Sequence, residues 1–74
     1  MIETEQVQVH DTDYLVRYFK NTDMDGMVSY SLEVRFAPDD VLMIDDHSIG
    51  RLRHKVREIL PAALYSRLLA GMSR

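Results

Sequence analysis

Four short clusters hold the side chains whose types could do chemistry. Asn21, Thr22, Asp23, Met24, Asp25 and Gly26 place oxygen donors at the first, third and fifth positions, glycine at the sixth and apolar Val28 at the eighth. That is the opening half of a calcium loop. The closing half is missing: the twelfth position, where a bidentate glutamate is needed, is Leu32, and Glu33 falls one residue late. Because the flanks pattern as strands, the hexad reads as a polar hairpin turn.

His10, Asp11 and Asp13 crowd one turn, and Asp45, Asp46 and His47 crowd another. Neither cluster has the paired or i, i+4 spacing that brings ligands to one side. Acids ahead of a helix ordinarily cap its free N–H groups and suit the positive end of its dipole. No metal site is expected. Ser29, Ser31, Ser48, Ser66 and Ser73 have no base at a useful spacing, and the glycines Gly26, Gly50 and Gly71 stand alone, so no nucleophilic centre or phosphate loop is expected. The scattered acids fit solubility and turns better than paired acid–base work. The expectation is a chain that is not an enzyme, without a cofactor or an evident small-molecule substrate.

The fourth cluster carries more weight. Arg51, Arg53, Lys55 and Arg57 lie on the polar side of an amphipathic helix, with Arg53 and Arg57 along one border of its apolar stripe and Arg51 and Lys55 along the other. Only Glu58 opposes them within that helix. Such a face can lie on phosphates or on an acidic protein surface, including the sheet of a second copy. It can equally be a solvated face. No helix-turn-helix, zinc finger or base-stacking motif accompanies the bases, so protein contact is the first reading and nucleic-acid binding through residues 49–60 the alternative.

The elements that position these residues follow from periodicity. Val28, Tyr30, Leu32, Val34 and Phe36 alternate with Met27, Ser29, Ser31, Glu33 and Arg35, which predicts a half-buried strand. Residues 14–20 are rich in aromatic and β-branched types, and Asp25-Gly26 between the two runs is a hairpin signal. A three-residue loop with a left-handed Gly26 would pair Asp23 with Met27, face Tyr14, Val16 and Tyr18 towards Phe36, Val34 and Leu32, and set Arg17 opposite Glu33. A tight two-residue turn would instead pair Leu15, Arg17 and Phe19 with Phe36, Val34 and Leu32. The first register is preferred. It leaves Leu15 and Phe19 on the face away from the core, where they need a cover.

Residues 5–9 alternate weakly, as an edge strand or a flexible arm within 1–13. Ala37, Pro38, Asp39 and Asp40 form a turn, and residues 41–44 a short buried run better read as a strand than as a helical turn. Beyond the caps Asp45, Asp46 and Ser48, the residues Ile49, Leu52, Val56, Ile59 and Leu60 recur at helical spacing. Pro61 then kinks one helix or opens a second, while Leu64, Tyr65, Leu68, Leu69 and Met72 continue the stripe towards Gly71, Ser73 and Arg74. The predicted fold is α+β: an antiparallel hairpin or three-stranded meander over 14–44, then one kinked or two consecutive helices over 46–72 packed on one sheet face.

At 74 residues the chain is one domain, and a domain this small hides only roughly 60% of its unfolded surface. It has no cysteine, which removes disulfides and thiolate metal sites and agrees with a reducing, cytoplasmic setting. No apolar run is long enough to span a bilayer, and the polar, acidic start is unlike a signal peptide. Stabilisation is therefore expected from a protein partner or a homodimer, with Leu15, Phe19, Arg51, Arg53, Lys55 and Arg57 as the contact residues. Charge is split along the chain: residues 1–46 hold eleven acids and three bases, whereas 47–74 hold one acid and six bases. Either the basic part meets a partner, or the two parts attract each other.

Overall fold

The computed structural model describes residues 1–72; Ser73 and Arg74, expected as the frayed end of the last helix, lie outside the described residues. Four strands, β1 (Glu3–Val9), β2 (Thr12–Thr22), β3 (Val28–Ala37) and β4 (Asp40–Asp46), precede one helix, α1 (Ile49–Met72). The strands form a single antiparallel sheet in the order β1-β2-β3-β4. The architecture is α+β, with the helix laid across one face of the sheet.

The long hairpin has the preferred register. Val16 pairs with Val34, Arg17 with Glu33 and Tyr18 with Leu32, and the Tyr14 and Phe36 rings meet edge-on at 6.0 Å. In its loop the Asp23 N–H donates to the Met27 carbonyl at 3.0 Å, and Gly26 has φ of 82°, a conformation that side chains resist. One carboxylate oxygen of Asp23 accepts both the Asp25 and Met27 N–H groups at 2.9 Å. The calcium-like hexad is thus a strand-flanked turn whose first acid is occupied by its own backbone.

Two expectations need correction. The sheet has four strands, not two or three, because residues 3–9 are a full edge strand paired from Glu3↔Tyr18 to Val9↔Thr12 and not a flexible arm. Its alternation looks weak because the side facing the helix reads Glu3, Glu5, Val7, Val9: two of the four inward residues are carboxylates. The turn after it is also tighter than expected, with only His10 and Asp11 outside the strands, both at positive φ (49° and 67°), as a two-residue hairpin turn requires. Residues 41–44 do form a strand, with Leu42 and Ile44 inward and Met43 outward.

The second correction concerns Pro61, which neither breaks the helix nor opens another: α1 runs uninterrupted with the proline inside it. Proline removes one N–H, so the carbonyl of Arg57 loses its partner one turn back. That loss is outweighed by anchors on both sides. Leu52, Val56 and Leu60 are wholly buried before it, and beyond it Leu64 packs on the core while Arg67 binds Asp40 through two bonds of 2.7 Å, its guanidinium 4.2 Å above the Phe36 ring.

The core is the space between helix and sheet: Leu52, Val56 and Leu60 from α1 against Val7, Val9, Val16, Tyr18, Leu32 and Val34. At roughly 1.5–3 kcal/mol per buried aliphatic side chain, these helix residues dominate the docking. Past Arg67 the helix outruns the sheet. Tyr65, just before Arg67, and Leu68, just after it, are exposed, and the radius of gyration of 13.7 Å exceeds the roughly 11 Å of a compact chain this long. Leu60→Ala should therefore lower stability in urea unfolding by about 2–5 kcal/mol, and Leu68→Ala by less than about 0.5 kcal/mol. Equal losses would show that the whole helix, and not the part ahead of Arg67, carries the docking.

Candidate protein interface on the open sheet face

The basic helix meets its own sheet. Along one border Arg53 donates to Glu3 and Arg57 approaches Glu5 at 3.5 Å, both on β1. Along the other, Arg51 Nε and Lys55 Nζ donate to Asp46 at the end of β4, at 3.0 and 2.6 Å. The two borders of the stripe are thus tied to the two edges of the sheet, and the charge asymmetry of the sequence is in large part attraction within one molecule. The cations of these pairs remain largely open to water, so the pairs orient the helix while apolar burial holds it.

Two of the carboxylates do more than pair. Glu5 accepts the hydroxyl of fully buried Tyr18 at 2.6 Å, and burial first, then this bond, pushes the tyrosine well above its ordinary range. Asp46 is held well below the usual carboxylate range, first by Lys55, then by the Ser48 N–H and then by Arg51. Ser48 in turn caps the helix by accepting the Arg51 N–H. On the outer side of α1, His54 and Glu58 face each other at 3.2 Å.

With the helix on one face, nothing among the described residues covers the other. Its rows follow from the register: Leu15, Arg17 and Phe19 on β2, Ser31, Glu33 and Arg35 on β3, Val41, Met43 and Asp45 on β4. Leu15 and Met43 are 45% and 59% exposed, and Phe19 is half-buried. Glu33 sits between Arg17 and Arg35 at 3.8 and 4.0 Å. A shallow hollow of about 190 Å³ opens over Leu15, Arg17, Glu33 and Arg35. Lower on the face Asn21 donates to the Ser31 hydroxyl at 2.6 Å, which donates to Asp45 at 2.5 Å. This chain of bonds satisfies Ser31, which is buried although it lies on the outer side. Among the described residues no buried side-chain nitrogen or oxygen lacks a partner, and no group of three or more His, Asp or Glu side chains could hold a metal.

The structure therefore separates the residues expected to act together. Leu15 and Phe19 lie on the open face, whereas Arg51, Arg53, Lys55 and Arg57 lie on the opposite, helix side. Sequence reasoning missed Met43, hidden in a run that looked wholly buried. It also missed Arg67, whose partner Asp40 is too distant along the chain to leave a signal. A second hollow, of about 410 Å³, is lined by Ser29, Asp45, Asp46, His47 and Arg51, and its acids are already bonded. No helix is long and apolar enough to cross a membrane among the described residues.

No family model, no curated protein and no solved structure matches this chain.

The Asp46 cluster makes stability depend on acid. Because its folded-state pKa lies below the unfolded value of about 3.9, its contribution is complete above that value and is lost as pH falls through the lower folded one. Asp46→Asn removes it, so the difference in urea midpoint between wild type and variant should be largest near pH 6 and shrink below about pH 4. A difference that stays constant down to about pH 2 would mean that Asp46 acts by packing and not by charge.

Proposed function

We propose that this chain is a small, non-enzymatic protein-interaction module that self-associates through its open sheet face, and that it serves as an adaptor, an assembly subunit or an inhibitor of a larger protein. One observation supports this reading above the rest. A four-stranded sheet has one face sealed by α1 and the other uncovered by any described residue, with Leu15, Phe19 and Met43 on it. Apolar side chains grouped on a sheet face gain by leaving water, and a domain this small has little other burial to draw on. The exposed side chains Tyr65 and Leu68 near the helix end add a second apolar patch beyond the sheet.

Sedimentation velocity across a dilution series tests the reading. The wild-type chain should show a concentration-dependent shift from monomer to dimer, and Leu15→Ser with Phe19→Ser should stay monomeric with an unchanged far-UV spectrum. A wild-type monomer at every concentration, or undiminished association of the double variant, would sink it.

Binding of nucleic acid through residues 49–60 is the rival. The ion pairs to Glu3, Glu5 and Asp46 argue against it, since a phosphate would have to displace carboxylates already in place. Titration with generic duplex DNA and RNA at low salt should therefore give no binding. Binding that weakens steeply with added salt and vanishes in Arg53→Ala with Arg57→Ala would restore the rival reading.

A further inference from the structure

We propose that the occupant of the open face is a second copy of this chain, packed sheet on sheet about a two-fold axis parallel to the strands and lying between β2 and β3. The inference rests on self-association through that face and adds its geometry. Such an axis places β2 of one copy over β3 of the other, so that the Arg17–Glu33 row meets itself reversed. Arg17 of each copy then stands over Glu33 of the other, and the attraction occurs twice. The same operation holds both Leu15 side chains on one side of the charged row, each above Arg35 of the other copy, and both Phe19 side chains on the other side, each above Ser31. Stacked sheets lie about 10 Å apart, a gap that an arginine and a glutamate reaching from opposite sides can span.

The alternative two-fold arrangements fit less well. An axis across the strands at the Arg17 row would set Arg17 on Arg17 and Glu33 on Glu33. Moved one residue towards Leu15, to the level of Val16, it would carry Phe19 onto Asp13 of the other copy and bury an acid against a ring. A partner of uniform charge is also disfavoured, because Arg17, Glu33, Arg35 and Asp45 alternate in sign over the surface.

Size sets the strength. Four strands spaced about 4.8 Å apart, over seven residues of about 3.4 Å each, give a face of roughly 450 Å² in projection. A standard interface hides about 800 Å² per partner, so this dimer belongs at the weak, concentration-dependent end.

Charge reversal with mixing tests the geometry. Arg17→Glu alone and Glu33→Arg alone each set like charges across the axis, and each should weaken dimerisation by at least about tenfold. An equimolar mixture of the two should form heterodimers within about tenfold of wild-type affinity, because both facing pairs are then opposite in sign. Mixing cannot repair a pair within one chain, so recovery reports contact between copies. The doubly reversed chain, Arg17→Glu with Glu33→Arg, should dimerise alone and also shows that the substitutions permit folding. If wild type dimerises, the Leu15 and Phe19 variant does not, and the mixture stays monomeric, this geometry is overturned while the open-face reading stands. A wild-type chain that remains monomeric overturns both.

Discussion

Burial of Leu52, Val56 and Leu60 against Val16, Tyr18, Leu32 and Val34 is the interaction on which the remaining structure depends. The sheet alone would be two-sided and wet, with edge strands free to pair elsewhere. The helix dries one side. Every other helix contact, from the Glu3 and Glu5 pairs to the Arg67 clamp on Asp40, becomes geometrically possible once those three side chains have seated it.

Charge then works as a guide and not as a glue. Carboxylates at the two edges of the sheet and cations on the two borders of the helix admit one sideways placement, and a helix shifted by one border would leave Glu3 and Glu5 facing the core unpaired. This explains why β1 tolerates acids on its inward side, and where four bases in seven residues find partners within the chain.

Closing one side with the only helix among the described residues leaves the other open. That face is mixed, with Leu15, Phe19 and Met43 interrupted by Arg17, Glu33 and Arg35 and by the Asn21–Ser31–Asp45 bonds. Such a surface stays tolerable in water, so the monomer need not aggregate. Under the proposed pairing it also encodes register, because a second copy must match signs as well as cover apolar groups.

Short-range periodicity and turn chemistry make several elements readable from the order of residues alone. The β2–β3 hairpin, its Gly26 loop, the Arg17–Glu33 pairing and the stripe of α1 with its two basic borders were legible, because alternation and helical spacing are local properties. Features that depend on partners distant along the chain emerge only in the folded molecule. Glu3 and Glu5 could be recognised as inward residues of a true strand only with Arg53 and Arg57 beside them, and Pro61 could stay inside one helix only because Leu64 and Arg67 are anchored beyond it. Whether the basic run points at an outside partner or at its own sheet was likewise a matter of folding. Electrostatic attraction acts through space, and a one-dimensional pattern records which charges exist but not which ones meet.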